Sequence, residues 1–349
     1  MMNEFRKRSK VAGFLFTEFH DVTNEWNGYY RYDRSIKDFG LDELCPGMTI
    51  NDLHQDIIPV IGDDFFKKYE AGQTVDVPLY ISAVANVVPN GLKIKYILHG
   101  WDSFGNHKEF GKGEMDVSAE PISCKPQAPV TVQLPGERAL LILSAELINA
   151  EQKVISRNFL PLDVRGKPQT QEKSVSVELL PASYSSAEWT IKQASPQQGK
   201  KVWGMGAGYF EYTISIPENL KAEDIERIEF TGELAARKPQ AKYLVNSEDK
   251  EHEWDSKNVD PGRSQNSYPM TDEDRFSSSV GVSFDGQPVS VHFLPDDPAD
   301  HRGLLSWMNQ QAGSPWLLDE PGSYGYLVRT SVKGAAIGRI VEDGKLVVR

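Results

Sequence analysis

Only two cysteines, Cys45 and Cys124, occur among 349 residues. They stand far apart and outside any metal-ligand or redox-pair spacing, which excludes a disulfide framework or a zinc site as the basis of the fold. Two unpaired structural thiols are expected. Long hydrophobic runs are also missing: Val11 to Phe16 and Ala139 to Leu143 fall well short of the ~20 residues needed to cross a bilayer. Positive charge is in deficit, with 38 Lys and Arg against 50 Asp and Glu and a formal net charge of −12. That balance repels nucleic-acid phosphates and anionic headgroups, so neither nucleic acid nor a membrane is an expected partner. The start, Met1-Met2-Asn3-Glu4-Phe5-Arg6-Lys7-Arg8, is basic but lacks a full apolar region and a small-residue cleavage pattern, so it does not read as a signal peptide and leaves the compartment unknown. No internal repeat of fixed period is visible, which argues against a solenoid or propeller.

What is present is an ordinary globular composition, 39% hydrophobic and 25% charged, at a length beyond the roughly 250–300 residues at which a single core stops growing. Two or three domains are expected. Val11 to Phe16 reads as a buried strand ending in the polar set Thr17, Glu18, His20 and Asp21, the way sites in parallel α/β proteins are built. Asp33 to Leu44 has room for a short helix, stopped by Pro46-Gly47. From about Asp52 to Gly166 the chain alternates in short runs, at Val75 to Ile81, Leu92 to Ile97, Val130 to Val132 and Ala139 to Leu147. Turns at Pro89-Asn90-Gly91, Ser103 to Asn106 and Pro135-Gly136 separate them, the pattern of an antiparallel, immunoglobulin-like β-sandwich over 51–166. Residues 165–172 form a polar linker. From Ser174 onward, strands are expected at Val175 to Leu179, Tyr209 to Ile216, Ile225 to Thr231, Val289 to Leu294 and Tyr324 to Val332. Interrupted by the long polar loop Ser247 to Ser279, they suggest a jelly roll over 174–349. The fold class is therefore mainly β.

Gly13 to Asp21, followed by Asn27-Gly28-Tyr29-Tyr30-Arg31-Tyr32-Asp33-Arg34 and Lys37, resembles the last strand and following loop of the catalytic TIM barrel of glycoside hydrolase family 2, the β-galactosidases, β-mannosidases and β-glucuronidases. The resemblance implies that residues 1–50 are the closing segment of a (β/α)8 barrel, its last strand and helix. The sandwich is similar to the one that follows the barrel in this family, most clearly over Leu140 to Asn158, and the third domain is similar to its galactose-binding-like jelly rolls. Members hydrolyse O-glycosyl bonds with retention, using two carboxyl groups ~5–5.5 Å apart. In the family these are glutamates at the ends of the fourth and seventh barrel strands, which no residue here matches. Whether the chain is an enzyme is thus open, and no residue is assigned a catalytic role. An Asn-x-Lys element of the family's glucuronidases is replaced by Glu25-Trp26-Asn27, which disfavours a uronic acid and favours a neutral sugar. The implied partners are carbohydrate and the N-terminal remainder of the same polypeptide, and the implied compartment is periplasmic or extracellular. The resemblance also implies that residues 1–40 are poorly ordered, repacked or self-associated in isolation, because a strand cut from a closed sheet leaves its backbone donors without acceptors.

Within this frame Glu18 and His20 share one face of a strand and Asp21 the other. The pair is read as lining a substrate subsite or as part of a structural ion-pair network. Asn24, Trp26 and Asn27 supply amides and a ring of the kind that bind a sugar's hydroxyls and C–H face, or pack at a domain interface. Trp254, Trp307 and Trp316, in or beside loops with Tyr268, His301, Arg302 and Tyr324, form a carbohydrate platform or belong to the jelly-roll core. The acidic groups Asp272-Glu273-Asp274 and Asp296, Asp297 and Asp300 offer oxygen ligands to Ca²⁺ but lack EF-hand spacing. A solvated loop without metal is the default, and no cofactor is expected. The competing reading is a stand-alone carbohydrate-binding or adhesion module.

Overall fold

The computed structural model describes residues 2–8, 10–11, 13–22, 28–31, 33–37, 39–62, 67–167, 174–195, 199, 201–236, 277–294 and 326–349. These residues are mainly β. The chain divides into two compact units. One comprises Met1–Thr17, Asp38–Glu172 and Ala299–Ser323, the other Glu18–Lys37, Lys173–Pro298 and Tyr324–Arg349. The stretch 1–50, expected as one piece, is thus shared between the two.

The first unit carries helices α1 (Met2–Lys7) and α2 (Leu41–Leu44) and strands β1 (Ile57–Ile61), β2 (Lys68–Glu70), β3 (Thr74–Val77), β4 (Leu79–Ala83) and β5 (Lys93–Asp102). Strands β6 (His107–Asp116), β7 (Ser123–Pro126), β8 (Val130–Gln133), β9 (Ala139–Ile148) and β10 (Val154–Arg165) complete it. They form a three-stranded sheet in the order β1-β4-β7, a five-stranded sheet in the order β2-β10-β9-β5-β6, and the pair β3-β8. The run Val75 to Ile81, expected as one strand, is two: Pro78 has no N–H to offer a ladder, and the chain changes partners there, β3 pairing with β8 and β4 with β1 and β7.

The sequence of β9 explains its central place. Its odd positions Leu141, Leu143, Ala145 and Leu147 enter the core shared with Ile57, Ile61, Leu79 and Ile81 of the facing sheet. On the opposite face Ile142 packs against Leu44, Cys45, Met48 and Phe159. A strand with both faces covered has no place for polar alternation, hence the nearly unbroken apolar run.

The free edge of β1 is closed by side chains. Successive outward carbonyls, two residues apart as strand geometry requires, each accept one hydrogen bond: Ile57 from Ser156 Oγ at 2.7 Å, Pro59 from Asn158 Nδ2 at 2.8 Å, and Ile61 from Asn3 Nδ2 at 3.3 Å. Arg6 of α1 extends the seal, donating to the carbonyls of Gln55, Asp56 and Ser82 and to Ser82 Oγ. An edge that would otherwise template pairing with another chain is occupied.

In the second unit, strands β11 (Ser186–Trp189), β12 (Lys192–Ala194), β13 (Trp203–Met205), β14 (Gly208–Ser215) and β15 (Ile228–Leu234) precede β16 (Ser278–Phe284), β17 (Gln287–Leu294), β18 (Tyr326–Val332), helix α3 (Ala335–Glu342) and β19 (Lys345–Val348). The sheet order is β11-β14-β19-β16-β17, with β12-β13 and β15-β18 as separate pairs. Val282, Phe284, Leu346 and Val348 of the large sheet pack with Ile340 of α3 and with Phe230 and Val332 of the β15-β18 pair.

Three expectations are corrected. The described residues of Val11 to Phe16 form no strand, and Leu15 is 97% exposed. Val175 to Leu179 likewise forms no strand and is exposed. The helix expected over Asp33 to Leu44 contracts to α2, because Gly40 takes a left-handed conformation (φ 63) at its start.

Candidate functional site

The polar set Thr17, Glu18, His20 and Asp21 is organised around Asp21. Its side chain is fully buried, which for a carboxylate demands a counter-charge and donors. Lys37 Nζ approaches Oδ1 to 2.6 Å and the Gly28 amide donates to the same oxygen at 3.0 Å. Both partners follow from how the chain returns. The Tyr29 and Tyr30 amides donate to the Phe19 carbonyl at 3.1 and 3.2 Å, and the Asp21 amide donates to the Tyr30 carbonyl at 2.9 Å. Single-residue bridges join His20 to Tyr30 and Tyr30 to Ile36. Gly28 passes so close to the backbone at residue 20 that a Cβ there would lie 2.3 Å from His20 C and 2.4 Å from Asp21 N. Only glycine brings its N–H within reach of the carboxylate. Neither Gly28 nor Lys37 stood out as Asp21's partner in the sequence, since a pairing across sixteen residues of irregular chain has no periodicity to reveal it.

Glu18 and His20 lie beside this knot on irregular chain, so the strand alternation that would put them on one face does not apply. His20 Nδ1 is 2.7 Å from the Asp21 carbonyl. A carbonyl only accepts, so Nδ1 carries a proton, and Nε2 is the nitrogen left to face a ligand. Glu18 Oε2 and Asp21 Oδ2 are buried and accept no hydrogen bond among the described residues. The set therefore offers acceptors to hydroxyl or ammonium donors, while Asp21 is held in place by its ion pair with Lys37. Asn24, Trp26, Asn27, Trp254, Trp307 and Trp316 lie outside the described residues, as do Tyr268, His301, Arg302, Tyr324 and both acidic groups considered for Ca²⁺. Among the described residues no three His, Cys, Asp or Glu side chains converge as a metal site would require. Both cysteines are free, and burial pushes the Cys45 thiol up to about 12.

Two histidine clusters went unnoticed in the sequence. In the first unit His99 Nδ1 lies 2.9 Å from His107 Nε2 and His99 Nε2 3.1 Å from the Leu44 carbonyl, with Trp101 edge-on to His107. The turn Ser103 to Asn106 was legible, and counting back across it would have set 99 and 107 near each other. Asp102 builds that turn by accepting from the Phe104 and Asn106 amides at 3.0 and 2.9 Å. In the second unit Ser290 Oγ, His292 Nε2 and Thr330 Oγ1 form a triangle of 2.6 to 2.9 Å that pins β17 to β18. No protein-family model matches this chain, and no curated protein matches it.

Proposed function

We propose that this chain is the C-terminal accessory region of a retaining β-glycoside hydrolase of family 2 acting on a neutral sugar. Residues 1–50 serve as the closing segment of its catalytic barrel, followed by an immunoglobulin-like sandwich over 51–166 and a galactose-binding-like jelly roll over 174–349. The observation that carries the proposal is the character of that segment. It holds a buried ion pair knotted to a glycine amide, a costly feature in a mere tail, yet Leu15 is 97%, Phe19 65% and Ile36 79% exposed. Exposed apolar side chains on a locally fastened segment outside the regular strands are what a barrel strand shows when its sheet is not closed around it. The two sheets of the first unit sharing one core support the sandwich, and the large sheet packed with the β15-β18 pair supports the jelly roll. In the complete enzyme the two catalytic carboxyl groups are supplied by the rest of the barrel, and Glu18 Oε2 and His20 Nε2 are acceptors for sugar hydroxyls. Glu25 at the position where glucuronidases read a carboxylate favours an uncharged hexoside.

The test is to express the reading frame extended upstream of Met1 beside the chain itself, and to assay both on aryl β-galactoside, β-mannoside and β-glucuronide. The expected outcome is hydrolysis of one of the two neutral substrates by the extended protein and of none by the chain. If no barrel-coding sequence lies upstream, the reading fails and a stand-alone carbohydrate-binding module replaces it.

A further inference from the structure

Asparagine stands before glycine twice in the sequence, at Asn27-Gly28 and Asn90-Gly91, and aspartate twice, at Asp285-Gly286 and Asp343-Gly344. In such pairs the glycine nitrogen can reach the preceding side-chain carbonyl carbon, because glycine has no Cβ to crowd the approach. Whether it does so depends on a joining peptide that is free to rotate and a nitrogen free of a partner. Three of the pairs are held. The Gly28 amide is buried and donates to Asp21 Oδ1 at 3.0 Å. The Gly344 amide donates to the Val341 carbonyl at 3.1 Å. Asp285 Oδ1 accepts from the Val347 amide at 2.8 Å, and carboxylates, ionised at neutral pH, resist such attack better than amides do. Asn90-Gly91 is the exception. Both residues are exposed, in the connection from β4 to β5. Among the described residues, 86–91 make no hydrogen bond, so the bend at Gly91 (φ 68) is an open turn. The connection is tethered instead by apolar contacts of Ala85, Val88 and Leu92 with the core of the first unit.

We propose that Asn90-Gly91 is a site of spontaneous succinimide formation, and that Asp21 keeps Asn27-Gly28 from the same reaction by holding its glycine nitrogen. The Gly91 nitrogen gives its proton to water or hydroxide and bonds to Asn90 Cγ. The Cγ–Nδ2 bond breaks, and the departing nitrogen takes up a proton and leaves as ammonia. Water then opens the five-membered ring at either carbonyl. One opening leaves aspartate at position 90. The other leaves isoaspartate, in which the main chain runs through the side-chain carbon and the α-carboxylate is free. No oxidant or cofactor is needed. Either product adds one negative charge to the surface, and the free isoaspartyl carboxylate is the group that isoaspartyl-specific protein carboxyl methyltransferases esterify. The isoaspartyl form also lengthens the main chain by one carbon between Val88 and Leu92. That carbon enters beside the β9-β10 turn, where a Cβ on Gly91 would already lie 3.2 Å from Ala150 Cβ.

The test incubates the full chain at neutral pH, folded and in guanidinium chloride, and follows the peptides that span positions 27 and 90 by chromatography. Enzymatic methyl-esterification counts the isoaspartate. The unfolded chain supplies the intrinsic rate of each pair. In the folded chain Asn90 is expected to react within about tenfold of its intrinsic rate, since opening an exposed loop costs little, and Asn27 about a hundredfold or more below its own. In Asn90→Gln the products at 90 should vanish while the rate at 27 stays as it was. Protection of Asn90 to the same degree as Asn27 overturns the proposal, and so does reaction of both pairs at their unfolded rates. Asp21→Ala, with its fold checked by circular dichroism, should raise the rate at 27 by about tenfold or more. A rate at 27 that stays low in the folded variant overturns the part given to Asp21. Should the variant not fold, the folded-to-unfolded rate ratios of the parent chain decide.

Discussion

Gly100→Ala is expected to destabilise the first unit by about 4 kcal/mol or more, enough to leave little folded protein. Gly100 sits in β5 just after a register shift between Leu98 and His99, with φ at 148. That conformation is nearly closed to residues with a Cβ, at a cost on the order of 1–3 kcal/mol. The steric term is larger. An added Cβ would lie 2.2 Å from the Leu140 carbonyl oxygen and 2.8 Å from Leu141 Cα, both backbone atoms of the central strand β9. No rotamer relieves a backbone clash, so either the β5-β9 ladder opens or the bulge that aims His99 at Leu44 is lost. Gly111→Ala in β6 is the control, because no atom outside its own neighbourhood lies within 4 Å of the new Cβ, and a change within about 0.5 kcal/mol is expected there. Urea unfolding of the three proteins checks both, and equal midpoints for Gly100→Ala and the parent would contradict the close approach.

Asn158→Asp should cost about 3 kcal/mol at neutral pH while barely altering shape. Asn158 is buried, and its amide nitrogen donates to the Pro59 carbonyl at 2.8 Å and to Asn3 Oδ1 at 2.7 Å. Aspartate has no donor when ionised, so a carboxylate oxygen would face two acceptors in a buried site. The penalty for leaving buried acceptors unpaired, about 1–3 kcal/mol, is then joined by the cost of burying a charge without a counter-ion. The Asn158 side chain is the middle of the three caps on the β1 edge, so the loss should appear as an earlier unfolding midpoint and faster amide exchange in β1. An unchanged midpoint would mean that the edge is not held by these side chains.

The central strand was legible in Ala139 to Leu147 because burial on both faces leaves an unbroken apolar run that few other structures tolerate. The β1 strand was not: Pro59 marks it as unsuited to a sheet interior, and its place at an edge capped by side chains from residues 3, 156 and 158 is a property of the fold. Val11 to Phe16, read from its apolar β-formers, and Val175 to Leu179, read from its alternation, failed for the opposite reason. Local pattern says a segment can be a strand, but only pairing makes it one. The C-terminal helix carried its signals openly, with Ile337 and Ile340 on its buried face and Gly344 (φ 64) just beyond its end, and was simply not read. At the candidate site the residue types were visible at 18, 20 and 21, while the partners that decide their roles were not. The carbonyl that fixes the His20 proton and the lysine that neutralises Asp21 come from the path of the chain.

The most direct test is amide hydrogen exchange across residues 13–37, resolved by peptide, in this chain and in the protein extended upstream of Met1. In the chain, Gly13 to Leu15 should exchange at unstructured rates, whereas the Asp21 amide, bonded to the Tyr30 carbonyl at 2.9 Å, should be protected. In the extended protein a barrel-closing strand predicts that Gly13 to Leu15 slow by about a hundredfold or more as they join a closed ladder. Unchanged, fast exchange of these amides in the extended protein would contradict a place for this segment in a barrel.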